Sequence, residues 1–553
     1  MFRIIIILFF LSSSSLVAAS NPSQAAIASA HPMATQAGFE ILEKGGNAFD
    51  AAVAVSATLA VVEPYSSGIG GGGFWLLHES KKNNNIMIDG REVAPLKATR
   101  NMYLDKQGNV IPGLSVDGAL AAGIPGEPAA LVHIAKKYGN LPLSISLAPA
   151  IRAAKNGFKV KEEYRRMAGF RLKALQASKA AAKIFLKDNK VPPLGYIIKQ
   201  HDLANTLKAI AEKGHTGFYA GKIAKQLVKE NTKAKGIWSK KDFSSYKIKE
   251  REPIRSHYRG YQLTSVAPPS SGGVALAEML NILSAYNLEE LSDTNRIHVI
   301  VEAMRRTYRD RAEFLGDTDF VNVPVKKLIS KEYAATLQQS IEFEKATLSS
   351  SLKGVADSSG GNHTTHFSIL DTQGNRVAAT LSVNYPFGSG FVADGTGILL
   401  NDEMDDFSAK PGVPNVYGLV GAEANAIEPG KRMLSSMSPT FIESEDKLAI
   451  IGTPGGSRII TMVLHGILSA IEGKTAMQVV NLPRYHHQYL PDVIQYEPKA
   501  FSNKTIKTLE QLGHKLKPLS NTFGNMHIVI WDKKENKVSA ASDERGEGEA
   551  QVK

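Results

Sequence analysis

Residues 361 to 375 read Gly-Asn-His-Thr-Thr-His-Phe-Ser-Ile-Leu-Asp-Thr-Gln-Gly-Asn, a polar stretch that passes through two threonines into an alternating strand pattern. Threonine favours strands, so Thr364 could simply open a strand. The alternative is that the chain cuts itself before Thr364 and uses the new N-terminal residue as a nucleophile. Once that peptide bond is broken, the α-amine of Thr364, with a pKa of about 7.7–8.0, can accept the proton of its own hydroxyl.

A hairpin turn signal, Asp-Thr-Gln-Gly-Asn at 371–375, follows this strand. A two-residue loop at Gln-Gly places Thr364 opposite Val383. A slip of one residue brings Ser382 or Asn384 opposite instead, and cross-strand neighbours lie about 5 Å apart. We therefore expect Ser382 to polarise the Thr364 hydroxyl and Asn384 to bind a polar substrate group, unless both only satisfy backbone groups.

A glycine pair, Gly455 and Gly456, stands between a predicted strand at 448–452 and a predicted helix at 459–471. Glycines let backbone N–H groups approach a ligand, and a helix N-terminus favours negative charge. The pair therefore suits an oxyanion hole, although Gly-Gly before a helix often makes only a tight turn. A phosphate loop is excluded because no Gly-Lys-Ser/Thr follows.

Three further segments place charges or hydroxyls in glycine- or proline-bounded turns. Arg91 could bind a carboxylate with two hydrogen bonds, or form a surface ion pair. The acidic cluster at 401–406 could hold an ammonium group, a metal ion or only solvent, and its spacing does not match an EF-hand. Ser435 and Ser436 form a hydroxyl pair in a constrained turn. The adjacent histidines at 486–487 point apart if they lie on a strand, which favours a structural role over metal binding.

Composition bounds the class of protein. The chain has 553 residues, 43% hydrophobic and 21% charged, which is typical of a globular protein. Its net charge of +12 comes from dispersed lysines, without an aromatic-interleaved basic motif, so we expect no nucleic-acid partner. Strand patterns early and late in the chain flank a helical middle at 130–250, which predicts one large sheet-and-helix core. A strand is predicted at 255–266, and the Ser/Gly-rich stretch at 340–362 is predicted to be an exposed linker where the chain could be cut.

The N-terminus has the pattern of a secretory signal peptide at residues 1–19. Arg3 precedes a short apolar run at 4–11, and small residues follow up to Ala19. The alternative is an uncleaved anchor. No later run is long enough to span a bilayer, so we expect no membrane contact after signal removal. With 0 Cys, disulfides and thiol catalysis are excluded. The expected location is the periplasm or the exterior of a bacterial cell.

Taken in order, these motifs resemble the γ-glutamyltranspeptidases, a family of N-terminal-nucleophile hydrolases. The resemblance covers essentially all of the chain after the signal peptide. The stretches that carry it lie at 45–52, 68–74, 89–95, 268–273, 364–368, 404–408, 415–421, 435–439 and 454–458.

The resemblance implies an α/β (α+β) fold, specifically an αββα four-layer sandwich. It implies a precursor that cuts itself between His363 and Thr364, giving a large subunit (20–363) and a small subunit (364–553) that form a heterodimer with one shared core. Thr364 would attack the γ-glutamyl amide of glutathione or a related donor to give an acyl-enzyme. Water would then complete hydrolysis, and an amino acid or dipeptide would complete transfer. Neither a cofactor nor a metal is expected.

The resemblance also implies roles for single residues. Arg91 matches the arginine that holds the donor α-carboxylate, with help from Ser435 and Ser436. Gly455 and Gly456 match the oxyanion-hole amides. The residues that match those around the donor α-ammonium are Asn384, Glu403 and Asp406. The residue that matches the lid tyrosine is Tyr417. The positions that depart from common bacterial patterns are Ser382, in place of threonine, and Glu403 and His363, both in place of glutamine.

Two alternatives to a γ-glutamyl enzyme stay open at this point. A related glutaryl or cephalosporin acylase is disfavoured by Glu403 and Asp406, because a glutaryl group lacks the ammonium that these acids would pair with. A catalytically inactive binding homologue is disfavoured by the intact set of Thr364, Ser382 and the glycine pair. Two bands or one band on a denaturing gel would distinguish a self-cut enzyme from the inactive homologue.

Overall fold

The computed structural model describes residues 21–352 and 364–553. The predicted signal peptide at 1–19 and the His363 side of the predicted cleavage site lie outside the described residues. Within the described ranges, none of the helices combines the length and the apolar character needed to cross a membrane.

Strands and helices alternate along the described part of the chain. The strands are β1 (Ala26–Ser29), β2 (Gly72–Glu79), β3 (Asn84–Gly90), β4 (Phe158–Lys159), β5 (Ile197–Ile198), β6 (Lys249–Arg251), β7 (Ile254–Tyr258), β8 (Tyr261–Ser265), β9 (Thr365–Leu370), β10 (Arg376–Ser382), β11 (Val392–Ala393), β12 (Ile398–Leu399), β13 (Thr440–Glu443), β14 (Lys447–Gly452), β15 (Tyr485–His486), β16 (Ile494–Tyr496), β17 (Leu516–Pro518), β18 (His527–Asp532), β19 (Lys537–Ser542) and β20 (Glu549–Val552). The helices are α1 (Pro32–Glu43), α2 (Ala48–Val62), α3 (Glu127–Tyr138), α4 (Leu143–Ser146), α5 (Ala148–Asn156), α6 (Glu162–Phe170), α7 (Leu172–Ala177), α8 (Lys179–Phe185), α9 (His201–Lys213), α10 (His215–Tyr219), α11 (Gly221–Lys233), α12 (Lys240–Ser245), α13 (Gly272–Leu283), α14 (Asp293–Phe314), α15 (Val325–Leu328), α16 (Lys331–Gln338), α17 (Ile459–Ile471), α18 (Ala476–Val480) and α19 (Asn503–Gln511).

Two antiparallel sheets stack face to face and form the centre of the molecule. The larger sheet has 7 strands in the order β20-β1-β9-β10-β2-β3-β6, and the other has 6 in the order β19-β18-β14-β13-β8-β7. Ile27 and Phe367 on one face of the larger sheet pack against α1, α2, α3 and α5. Phe74 on its other face packs with Ile450 of the second sheet, in a core that also includes α13, α14 and α17. The layer order is helix, sheet, sheet, helix, which confirms the predicted αββα sandwich.

Helix α2 explains why the strand that follows Thr364 is buried on both sides. The side chain of Asn47 caps its N-terminus and Asp50 completes the capping box. Every residue of the helix is buried, as its nearly uniform apolar sequence predicts. The helix ends at Glu63, beside the start of β9, so it carries that carboxyl to the neighbourhood of Thr364.

The β9–β10 hairpin differs from the predicted two-residue loop. Leu370 pairs with Arg376, which leaves a three-residue loop at 372–374 inside the closing pair Asp371–Asn375. The Asp371 carboxylate accepts from the N–H of residue 373 at 2.9 Å and from that of Asn375 at 2.9 Å, and Gly374 has φ +83°. A turn of this kind ends on a residue in the left-handed region, which favours glycine. The consequence is the register in which Ser382, not Val383, lies opposite Thr364.

Three other predictions need correction. The strand predicted at 255–266 is a hairpin, β7 and β8, that turns at Arg259–Gly260, where φ is +47° and +81°. The helical spacing read into the alanine-rich N-terminal segment misses β1, which pairs with β20 and β9. The predicted linker at 340–362 is not free at its described end, because the N–H groups of Thr347 and Ser349 donate to buried carboxylates at 3.1 and 2.8 Å.

Candidate active site

Thr364 stands at the start of β9 in the centre of the larger sheet. Its hydroxyl oxygen lies 3.5 Å from the hydroxyl oxygen of Ser382 at the end of β10. The Ser382 oxygen also accepts the backbone N–H of Asn384 at 2.7 Å, and Asn384 has φ +75°. The structure therefore brings together the threonine, the hydroxyl and the asparagine that the sequence predicted to be neighbours.

The glycine pair lies beside Thr364 at the end of β14. Gly455 has φ +147° and Gly456 has φ +55°, a region that disfavours any residue with a side chain. A Cβ atom on Gly455 would lie 2.3 Å from the Cε of Met462. A short 3-10 turn at Gly456–Arg458 then leads into α17. Glycine is thus required twice to bring this backbone next to the nucleophile candidate.

Arg91 forms a buried ion-pair cluster instead of a surface ion pair. Its guanidinium is 1% exposed and donates to Glu403 at 2.6 Å and to Asp406 at 2.5 Å. Burial alone would lower the pKa of Arg91, but the two carboxyl groups outweigh it and raise that pKa. Both acids belong to a 3-10 turn at Glu403–Asp406. The cluster therefore offers one cation and two acids at one end of the cavity that contains Thr364.

The two acids of this cluster differ in protonation. Burial, with repulsion from Asp406, raises the pKa of Glu403 to about 8, so its carboxyl is largely protonated at neutral pH. Burial also raises the pKa of Asp406, which keeps Arg91 as its ion-pair partner. A neutral Glu403 has one donor and one acceptor, as a glutamine side chain does. The departure from glutamine at this position is therefore smaller than the formal charge indicates.

The serine pair is backed by an arginine that sequence analysis missed. Arg311 donates to the hydroxyl of Ser436 at 3.1 Å and to that of Ser271 at 3.0 Å. The Ser435 hydroxyl accepts from the N–H of Met437 at 3.1 Å. Burial lowers the pKa of Arg311, which still leaves it a cation at neutral pH. Helical spacing could have revealed it, because residues 300, 304 and 307 on the same helical face are buried.

Tyr417 covers the cavity, as its match to a lid residue implies. Its hydroxyl donates to the backbone carbonyl of Asn384 at 2.7 Å. The adjoining loop is tied to the acidic cluster, since the Asn415 amide donates to Asp406 at 3.1 Å and the Val416 N–H donates to Asp405 at 2.8 Å. The covered cavity measures only about 20 Å³. In this closed form it is smaller than a γ-glutamyl group, so a donor must displace the lid or the ion pairs.

One cavity contains nearly all of the predicted site residues. Gly455 borders a neighbouring cleft that also reaches Thr364. The predicted residues that line the covered cavity are Arg91, Thr364, Ser382, Asn384, Glu403, Asp406, Tyr417, Ser435, Ser436 and Gly456.

Histidines elsewhere in the described residues have protein partners. His486 bonds to Thr461 at 2.8 Å, and His487 bonds to Asp492 at 3.1 Å. A separate buried trio that could hold a metal by distance alone consists of His298, Glu302 and His514. Two arginines of α14 pair with its carboxylate and place positive charge there, which disfavours a bound cation.

Comparison with known proteins agrees with this arrangement. The family model described as Gamma-glutamyltranspeptidase matches residues 34–552. A glutathione hydrolase proenzyme of Escherichia coli (strain K12) is 44% identical over 513 residues, 92% of this chain and 88% of that protein. The gamma-glutamyltranspeptidase structure of Helicobacter pylori is 43% identical with a TM-score of 0.57, covering 59% of this chain and 93% of that one.

A cephalosporin acylase structure from Bacillus halodurans superposes on the whole molecule. It gives a TM-score of 0.84 at 28% identity and covers 99% of both chains. Its overall shape is thus shared, while sequence identity is higher to the glutathione hydrolases and the transpeptidase. The motif order, the sandwich and the family match agree, and the chain belongs to the gamma-glutamyltranspeptidase family.

Proposed function

We propose that this chain is a γ-glutamyl transferase and hydrolase that acts on glutathione and related donors and matures by cutting itself before Thr364. The observation that carries the proposal is the shared cavity. It has the Thr364 hydroxyl at one end and a cation with two acids at the other. A γ-glutamyl group has the matching form, with an amide carbonyl at one end and an α-carboxylate and α-ammonium at the other.

The chemistry follows from the positions of these groups. After the cut, the α-amine of Thr364 accepts the proton of its hydroxyl, and the oxygen attacks the γ-glutamyl carbonyl carbon. Ser382 stabilises that oxygen by a hydrogen bond. The N–H groups of Gly455 and Gly456 stabilise the oxyanion, and one such donor is typically worth about 2.7–4 kcal/mol. The leaving amine takes the proton from the α-amine, and water or a second amine then cleaves the acyl ester.

Donor binding requires an exchange of ion pairs. The donor carboxylate binds Arg91, Ser435 and Ser436, and the donor ammonium binds Asp406 with Glu403 and Asn384. Each new pair replaces part of the internal contact between Arg91 and its acids, so the buried charges stay compensated. A glutaryl group would leave the acids without a cation, which argues against the acylase alternative in spite of the shared fold.

A denaturing gel and N-terminal sequencing test the proposal. We expect two bands from purified protein, a small fragment that begins Thr-Thr-His-Phe, and release of the chromophore from a γ-glutamyl anilide. Thr364→Ala should give one uncut chain without turnover. A single stable band in the wild-type protein would instead support the inactive binding homologue.

The location of the protein is part of the proposal. Residues 1–19 have the pattern of an export signal, and we propose that the mature heterodimer (20–363 with 364–553) lies in the periplasm or outside the cell. Mass spectrometry of the purified large fragment should find its N-terminus near residue 20. An N-terminus that retains the apolar run would contradict the proposed export signal.

A further inference from the structure

Thr364 lies in the wall between two cavities, of which the proposed donor site uses only one. The second is an open cleft of about 520 Å³. The glycine pair is divided between them, with Gly456 in the wall of the donor cavity and Gly455 in the wall of the cleft. The carbonyl carbon that Thr364 attacks would therefore lie at the junction of the two cavities.

This placement gives the cleft a role, if the proposed function holds. The charged end of the γ-glutamyl group occupies the donor cavity, so the amine that leaves the carbonyl carbon must depart toward the cleft. An acceptor amine attacks the same carbon along the reverse path. The volume of the cleft is in the range that holds small ligands, about 300–1,000 Å³.

One side of the cleft is acidic. The Glu63 carboxyl accepts the hydroxyl of Thr365 at 2.7 Å, which fixes it beside the nucleophile candidate. Glu163 and Glu547 also line the cleft, and the N–H of Glu163 donates to Glu547 at 3.3 Å. Burial, together with the charges of these two glutamates, raises the pKa of Glu63 to about 8. These groups supply hydrogen-bond acceptors for an amine.

The other side offers an arginine. Arg458 stacks on the ring of Phe523, 4.7 Å from its centre, and donates to the neutral side chain of Gln495 at 3.2 Å. Burial lowers its pKa to about 10, so it remains a cation at neutral pH. The other two arginines of the cleft, Arg166 and Arg545, each form close ion pairs with glutamates. Arg458 is therefore the cation best placed to meet a carboxylate within the cleft.

We propose that this cleft binds the acceptor amino acid or dipeptide, with Arg458 binding its carboxylate and the three glutamates facing its amine. The uncharged acceptor amine attacks the carbonyl carbon of the γ-glutamyl ester of Thr364. A C–N bond forms, the bond from carbon to the Thr364 hydroxyl oxygen breaks, and a proton from the amine returns to that oxygen. The same contacts hold the amine portion that leaves a dipeptide-containing donor.

A first test changes the acceptor and leaves the enzyme intact. Transfer from a γ-glutamyl anilide is measured with glycylglycine and with glycylglycinamide, which has no carboxylate. A charge-assisted hydrogen bond predicts a kcat/KM about tenfold or more higher for glycylglycine. Values within about twofold of each other, the size of a neutral change, would overturn the proposal.

A second test changes the arginine. In Arg458→Gln the acceptor KM should rise about tenfold for glycylglycine and by no more than about twofold for glycylglycinamide, while Arg458→Lys recovers part of the loss. Arg166→Gln, at the exposed edge of the same cleft, is the matched control and should not discriminate between the acceptors. Equal changes for both acceptors in Arg458→Gln would overturn the assignment. If that variant does not mature, the comparison of acceptors on the intact enzyme decides.

The two proposals fail in different ways. Absence of anilide release by the mature wild-type protein without any acceptor would contradict the proposed function. Normal release without discrimination between the two acceptors would contradict only the acceptor cleft.

Discussion

Asp406→Asn should separate recognition of the donor ammonium from the rest of the reaction. Asp406 lies 2.5 Å from Arg91, and its side chain is 13% exposed, so an ammonium bound there loses most of its water. Asparagine keeps the shape of the side chain and removes the charge. Hydrogen bonds to charged groups contribute about 1.5–3 kcal/mol, which predicts a rise of about 10- to 150-fold in the donor KM. Glu403 remains nearby and favours the lower half of that range.

The assay uses two chromogenic anilides that differ in one group. γ-Glutamyl-4-nitroanilide has the α-ammonium, and glutaryl-4-nitroanilide lacks it. The large rise should occur with the first substrate, and the second should change by less than about threefold. Gels should show normal cutting, because Asp406 does not contact the hydroxyls of Thr364 or Ser382. An equal rise for both substrates would refute the reasoning and would indicate that Asp406 acts by holding Arg91.

Three further predictions concern the same cavity. Ser382→Ala leaves the buried N–H of Asn384 without its acceptor, so it should lower the free energy of unfolding by about 1–3 kcal/mol and slow both cutting and turnover. Ser382→Thr, which keeps a hydroxyl, should restore all three, and failure to do so would contradict the role of the hydroxyl. Arg311→Gln should raise the KM of γ-glutamyl-4-nitroanilide about tenfold and should change that of 4-aminobutanoyl-4-nitroanilide, which lacks the α-carboxylate, by less than about threefold; equal changes would mean that Arg311 only supports the fold. Glu403 loses its proton as the pH rises through about 8 and then competes with the donor carboxylate for Arg91, so the donor KM should rise above that pH in the wild type and less in Glu403→Gln. Parallel KM–pH profiles for the two proteins would contradict this.

The site was more predictable from the sequence than its geometry. Motifs fixed which residues meet, because charge, hydroxyl and glycine requirements are local and leave clear patterns. The hairpin register was missed by one residue, since it depends on the two N–H groups that the Asp371 side chain accepts. Arg311 was missed because a helix sequence rich in arginine does not announce which arginine faces the interior. The protonation of Glu403 depends on burial and on Asp406, neither of which a sequence pattern measures.

The fold was predictable in class and less so at its edges. Long periodic elements such as α14 and α17 were found close to their true bounds. The short strand β1, by contrast, exists because β20 and β9 supply partners from more than 300 residues away along the chain. Local propensity in an alanine-rich segment cannot reveal such pairing.

The strand order of the larger sheet has a consequence for how the mature protein would lose its structure. β9 and β10, from the C-terminal side of the proposed cut, are inserted between β1 and β2, from the N-terminal side. Two fragments interleaved in this way stay together after the bond between them is gone, but heat that separates them turns a one-molecule refolding problem into a two-molecule one. The uncut Thr364→Ala chain should therefore recover from thermal unfolding at dilutions where the processed enzyme does not.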